Sequence, residues 1–328
     1  MWILDSFTLD PDDAGFVADP SAAIDFLLAH APIFPWVERD AVVVSRMSFA
    51  RALLVDPRAS SSREPSPARL PLRTILALRA RLRTSIDARI EGLVARGESV
   101  LQLRELADHI AIASIAEFLG IAADEFVRAP RLEPWIAARR AAPLDHDPIS
   151  TWIAEGLRDD ELLAHAEQIV AACGEPLVHA LCLSAYELLT HPDALHEVQS
   201  DRSRLANAIA EAERVNGVDK LGPTRVVREP FELAGVPLCA GQVVIVFRSA
   251  ANRDPEVFRE PEVFDIHRDT TPAIADQGLA AELVRMVQEL AIGRLLIERF
   301  PDATLAGELR FTAHPTLRAV ASLPIRLA

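Results

Sequence analysis

The sequence predicts a mainly α-helical fold with small antiparallel β-sheets, built as one domain over residues 1–328. Three observations predict it. Four long stretches repeat apolar residues on a helical period: Leu72–Ala95, Leu101–Leu119, Glu161–Thr190 and Leu279–Phe300. Short β-branched or alternating segments (Arg225–Arg228, Phe231–Leu233, Val243–Phe247) lie together in a later region, with Gly235 and Gly241 between them. Half of the residues are apolar but only 5% are aromatic, so the core must be built from Leu, Ala, Val and Ile.

Taken in order, Ser21–His30 reads as a short amphipathic helix with Ile24, Leu27 and Leu28 inward. Two strands follow, near Ile33–Val37 and Ala41–Val44, joined by the polar turn Glu38-Arg39-Asp40. Ser48–Val55 is helical and Asp56-Pro57 ends it. Ser60–Pro71 is biased in composition, and Ser60–Pro67 within it reads as a loop. Leu72–Ala95 is a helix with Arg73, Arg79, Arg81, Arg83 and Arg89, which reads as a solvated face paired with acids; such a helix could also hold a phosphate or a carboxylate. Gly120 ends the next helix, Leu101–Leu119. Ala129–Pro148 reads as irregular, broken by prolines. Its Asp145-His146-Asp147 could ligate a metal but has no partner ligand at helical spacing, so it reads as a loop.

Glu161–Thr190 is the longest helical pattern. About 30 residues at 1.5 Å each would span roughly 45 Å, through the middle of the fold. Pro176 lies inside it, so a kink is expected near Cys173-Gly174-Glu175-Pro176. Leu205–Val215 is a further helix, and Arg310–Leu327 reads as strand, turn and strand.

The net charge of −14 makes nucleic acid and anionic membrane poor partners. Lys220 is the only lysine. Cys173, Cys182 and Cys239 form no C-x-x-C pair and read as reduced thiols. No signal-peptide pattern and no uninterrupted apolar run of membrane length occurs, so a cytoplasmic protein is expected. The oligomeric state is open, a homodimer included. The lysine-poor, Ala/Arg/Leu/Pro-rich composition fits a GC-rich bacterial genome.

Several stations resemble the cytochrome P-450 superfamily, in the family's order: Val42–Ser45 and Ala52–Arg58; Ile115–Ile121; the central helix between Glu161-Leu162-Leu163 and Leu188–Pro192; Glu211-Ala212-Glu213-Arg214, which fits E-x-x-R; Thr224-Arg225; and Ala250-Ala251-Asn252-Arg253-Asp254-Pro255-Glu256-Val257-Phe258, continuing through Pro261, Phe264 and Asp265 to Arg268. The resemblance covers nearly the whole chain. It implies the superfamily's helical fold in truncated form. It also implies a buried ion-pair and hydrogen-bond network of Glu211, Arg214 and Arg253.

It equally shows what is missing. The family holds haem iron on a cysteine thiolate in a glycine-rich loop before the last long helix. Here that place is Asp269–Gly278, which has no cysteine and one glycine, and is shorter than the family pattern. On the central helix Glu175 matches the family's acid, but Pro176 stands where its threonine should be. The helix that serves the haem propionates has no clear counterpart, and residues 126–151 are short for the helices that cap the substrate pocket. The expectation is a haem-free chain with no cofactor and no metal, not a functional monooxygenase.

Homologues of this kind serve as auxiliary partners of deoxysugar glycosyltransferases in natural-product pathways. The resemblance therefore implies a non-catalytic auxiliary protein that binds and activates a glycosyltransferase. One alternative is a haem-independent isomerase, cyclase or dehydratase, with Glu175 as general acid or base and His179 and Arg225 beside it. Another is a small-molecule binding protein. The bland readings are an ion-paired Glu175 and a satisfied core His179.

Overall fold

The computed structural model describes residues 7–60, 70–128, 131–145 and 147–327. Ser61–Arg69 of the biased stretch, which include nearly all of the expected loop, and His146 lie outside the described residues.

Among the described residues the helices are α1 (Ala14–Ala18), α2 (Ser21–His30), α3 (Met47–Val55), α4 (Leu72–Arg96), α5 (Leu103–Leu119), α6 (Ala123–Arg128), α7 (Leu132–Ala141), α8 (Pro148–Ala154), α9 (Asp159–Cys173), α10 (Glu175–Thr190), α11 (Pro192–Ser200), α12 (Leu205–Asn216), α13 (Arg248–Ala251) and α14 (Leu279–Ile292). The strands are β1 (Ile33–Trp36), β2 (Ala41–Val44), β3 (Ala59–Ser60), β4 (Val100–Gln102), β5 (Thr224–Val227), β6 (Phe231–Leu233), β7 (Val236–Leu238), β8 (Val243–Val246), β9 (Thr304–Leu305), β10 (Arg310–Thr312), β11 (Ala319–Ser322) and β12 (Pro324–Arg326). Helix dominates and the sheets are small, as the apolar periods require. The chain divides into two compact units: Met1–Glu64, Ala210–Ala275 and Arg310–Ala321 in one, Pro65–Ile209, Asp276–Leu309 and Ser322–Ala328 in the other.

The first unit is built on a five-stranded sheet in the order β1-β2-β8-β5-β3. Every residue of β2 is buried. Val42 and Val44 enter one apolar cluster with Met47, Leu53, Val244, Val246 and Phe258. Val43 points the other way, into a cluster with Ile24, Leu27, Trp36, Phe247 and Ala250. That burial on both faces belongs to an inner strand. The sheet is mixed: β2 pairs with β8 in parallel (Val42↔Val244), while the other pairings are antiparallel. The expectation of purely antiparallel sheets therefore needs this correction. β2 and β8 lie far apart in the sequence, and alternation within a strand carries no information about a distant neighbour. The β6–β7 hairpin turns on Ala234 (φ 49) and Gly235 (φ 84), the two positive φ values that a tight hairpin of matching twist needs.

In the second unit α5 packs against both α4 and α10, and α14 packs against α4, α9 and α10. The buried stripe of α4 is Leu78, Leu82, Ile86, Ile90 and Leu93. Phe118 of α5 lies 5.6 Å from the Trp152 ring of α8, and Trp152 lies 5.2 Å from His165 of α9. Leu101, expected to begin a helix, is instead in β4 and pairs with Ile325 of β12. A helical period does not reveal a cross-strand partner that arrives at the far end of the chain.

Two further expectations change. The stretch read as irregular contains α7, with Leu132 and Ile136 buried. Pro134 is tolerated because it falls in the first turn, where the amide has no intrahelical partner. Pro148 opens a helix rather than breaking one: Asp147 caps α8 by accepting from the Ser150 amide at 2.7 Å. The central stretch is broken, not merely kinked. α9 ends at Cys173, Gly174 adopts φ −81, ψ −129, and α10 starts with Pro176 in its first turn. Proline supplies no amide to the Ala172 carbonyl, so the two helices part there. Asp159–Thr190 is long and apolar enough to cross a membrane by length and composition alone, and 56% of its most apolar 18-residue window is buried within the protein.

Candidate functional site

Three places carry the residues singled out from the sequence: the network around Glu211, the segment before α14, and the break between α9 and α10.

Glu211 and Arg214 lie one turn apart on α12, and both side chains are wholly buried. Arg214 donates to the Glu211 carboxylate from Nε (2.7 Å) and Nη2 (2.8 Å), the fork geometry that arginine suits. Its remaining donors reach the carbonyls of Asn252 and Pro261 at 2.9 and 2.8 Å, and its guanidinium lies over the Phe258 ring. The second cation on Glu211 is Arg268, with Nε at 2.9 Å. Arg253, expected in this role, points elsewhere. It donates to the Val215 carbonyl and pairs with Glu262 at 3.2 Å. Nothing in the spacing separates Arg253 from Arg268, since both sit in the same motif. Asp254 accepts from the Met47 amide at 2.9 Å, which ties α3 to this segment. The arrangement is a scaffold.

The segment Asp269–Gly278 leads into α14. Its first half is fastened to the first unit. Asn252 brackets Ile274, accepting from its amide at 2.7 Å and donating to its carbonyl at 3.0 Å. Arg51 donates to the Pro272 carbonyl. Ile274 itself is buried in the cluster of Val44, Met47 and Phe258. Gly278, at φ 86 and ψ −176, sits at the start of α14.

The haem implied by the resemblance needs a thiolate next to this helix. The described residues do not fit that need. Cys173 and Cys182 are buried on α9 and α10, and burial pushes the Cys173 thiol up to about 12 and the Cys182 thiol higher still. Both are therefore neutral thiols at physiological pH. Cys239 is exposed, in the turn between β7 and β8. No cysteine lies between Arg268 and α14.

At the helix break, Glu175 begins α10. His179, one turn on, is buried, and its Nε2 stands 2.9 Å from the Glu175 carboxylate. From α5, Arg104 donates to both Glu175 oxygens at 3.3 Å. Asp108, one turn along α5, has its carboxyl pushed up by burial, with Glu175 adding to the effect and Arg104 opposing it. Two of the three predicted catalytic candidates, Glu175 and His179, are thus brought together; Arg104 and Asp108 were not foreseen. Their only signal was the α5 period, which places both on one face. The Glu175 side chain is 60% exposed. Arg225 belongs to β5 of the first unit; it bonds its neighbour's carbonyl, and burial lowers its pKa. The cluster can hold a proton or an anion between facing helices.

The cytochrome P450 family pattern matches residues 149–271. Cytochrome P450 107B1 of Saccharopolyspora erythraea is 30% identical over 292 residues, covering 77% of this chain and 71% of that protein. The epothilone C/D epoxidase of Sorangium cellulosum is 26% identical, covering 98% of the chain and 96% of the relative; the alignment runs over 402 positions, so the relative carries stretches this chain does not. A crystal structure of an epothilone D-bound cytochrome P450 superposes with a TM-score of 0.85 at 25% identity, covering 98% of this chain and 99% of that one.

Proposed function

The chain belongs to the cytochrome P450 family, and on that premise we propose that it works without haem, as an auxiliary partner that binds and activates a glycosyltransferase in bacterial natural-product biosynthesis. The observation that carries the reading is the segment before α14: Asp269–Gly278 has no cysteine, and Asn252 straps it down through Ile274. Relatives such as the epothilone C/D epoxidase support the natural-product setting. The contacts of the Glu211–Arg214–Arg268 network are made within the protein itself, so this scaffold needs no haem to hold its shape.

An auxiliary protein activates only through its different affinity for the partner's inactive and active conformations. Moving a partner from 1:99 to 99:1 needs about a 10⁴-fold preference, or ~5.5 kcal/mol. The net charge of −14 fits a cytoplasmic protein with no nucleic-acid or membrane partner.

The test mixes the purified chain with the glycosyltransferase encoded beside it. Co-elution and a rise in turnover support the reading. The absence of both association and any change in turnover overturns it, and a Soret band in the freshly purified protein overturns the haem-free part.

A second reading, a haem-independent isomerase, cyclase or dehydratase, is favoured by the Glu175–His179 contact beside Arg104 and Asp108. It requires that Glu175→Gln abolish a measured conversion while leaving the fold and the partner assay unchanged.

A further inference from the structure

The arginine-rich helix α4 is not accounted for by either reading. It carries six arginines and two acids. Three of the arginines are engaged as a solvated, paired face would have them. Arg81 pairs with Glu117, Arg89 donates to the His109 carbonyl, and Arg96 pairs with Glu98. Arg83 has no partner among the described residues, and Arg79 stands 3.8 Å from Glu289, beyond hydrogen-bonding distance.

Arg79 and Arg83 are four residues apart, hence neighbours on one face, and like charges so placed repel. Both line a cavity of about 340 Å³ within the second unit. Arg202 enters its wall from the short helical turn before α12, and Glu289 from α14, with Arg294 and Glu298 from the π-helical stretch Gly293–Arg299 that continues it. The acids of the wall are largely committed. Arg294 pairs with Asp87 and Glu298 at 3.0 Å each, and Arg202 reaches Glu298 at 2.6 Å. Asp87 Oδ1 and Arg294 Nε nevertheless lack an aligned hydrogen bond although both are buried. The wall carries four guanidinium groups and three carboxylates, and Glu91 behind it pairs with Arg294 at 2.7 Å, so Arg79 and Arg83 are the guanidinium groups of the wall without a hydrogen-bonded carboxylate among the described residues.

We propose that this cavity is a binding site for a small phosphorylated molecule, its phosphate held by Arg79 and Arg83, with Arg202 also in the wall. A multiply charged phosphate relieves the repulsion between the two neighbouring guanidinium groups and satisfies their planar forks, which match phosphate oxygens in pairs. The cavity volume lies at the small end of the range for ligand sites, so the ligand has the size of a diphosphate or a sugar phosphate. The carboxylates of the wall, Asp87, Glu289 and Glu298, offer acceptors for the hydroxyl groups of such a ligand. The site stands independently of the partner assignment above.

The test is calorimetric titration of the full chain with pyrophosphate at low and at physiological ionic strength. Saturable binding is expected, weakened roughly tenfold or more by Arg83→Glu and by Arg79→Glu, since each removes a charge-assisted contact and adds a repulsive one. Arg83→Lys keeps the charge without the fork and binds between the two. Arg73→Glu is the control: Arg73 lies on the same helix outside the cavity, and its loss should leave the affinity within about twofold once salt screens long-range fields. Circular dichroism of each variant confirms that helix content is retained. Absence of pyrophosphate binding overturns the proposal. So does an equal loss in Arg73→Glu, which would mean unspecific attraction, and so does binding of an oligoglutamate peptide in place of pyrophosphate.

Discussion

Replacing Glu211 by glutamine isolates what a fully buried charge contributes. The Glu211 carboxylate accepts four hydrogen bonds: two from Arg214 at 2.7 and 2.8 Å, one from Arg268 at 2.9 Å and one from the Asp265 amide at 3.1 Å. A glutamine side chain has nearly the same shape but turns one oxygen into an NH₂ group facing a guanidinium. At least one charge-assisted bond is lost, at about 1.5–3 kcal/mol, and Arg214 is left buried without a counter-charge. Breaking one partner out of a buried pair costs roughly 3–5 kcal/mol, which is where the expected loss lies. Against a typical folding stability of about 5–15 kcal/mol this is roughly a fifth or more. The assay is urea unfolding followed by tryptophan fluorescence and far-UV circular dichroism, with Trp36 in the same unit as Glu211. The companion variant Arg268→Ala and the double variant complete a cycle, in which a coupling of about 0.5–3 kcal/mol is expected between contacting residues. A loss under about 1 kcal/mol in Glu211→Gln would refute the reasoning. It would mean that the carbonyls of Asn252, Pro261 and Val263 suffice for Arg214.

Further outcomes follow from the same structure. A thiol reagent should titrate Cys239 alone in the native protein and all three cysteines in denaturant, because Cys173 and Cys182 are buried; fast native reaction of more than one thiol would contradict the packing of α9 and α10. Lys220 donates to the carbonyls of Pro11 and His314 from a buried position, and burial, with Arg318 adding to it, lowers its pKa below 10.5. The unfolded chain then binds the Lys220 proton more tightly than the folded one. Its contribution to stability rises with pH between the lowered value and 10.5, and the difference between wild type and Lys220→Met should show that slope. Gly278→Ala meets no atom within 4 Å but must hold φ near +86, so it should cost about 1–3 kcal/mol from backbone strain alone, read as a lower urea midpoint. Asp108→Asn should remove a loss of stability that sets in as pH rises above 3.8, since burial makes the folded state hold that proton longer.

Much of the fold was legible because helices announce themselves locally. The period in α2, α4 and α12 located them to within a residue or two. The hairpin at Ala234-Gly235 was equally local. What failed to show was contact between distant segments: the parallel β2–β8 pairing and the β4–β12 pairing. Helix α7 was hidden for another reason, since prolines nearby look like breakers until the first turn is placed.

The candidate site divides in the same way. Glu211 and Arg214 are joined by spacing on one helix, and so are Glu175 and His179, because residues three or four apart share a face. That no cysteine lies between Arg268 and α14 is read directly from the sequence. Only the tertiary structure decided that Arg268 rather than Arg253 completes the Glu211 network, that Arg104 and Asp108 face Glu175, and that Asn252 straps Ile274. It also decided that Arg79, Arg83 and Arg202 share one cavity. The physical reason is common to all of these. Local periodicity states which way a side chain leaves its own element, but which charge it meets depends on how separate segments pack, and that is set by the burial of the whole apolar surface rather than by any one stretch of sequence.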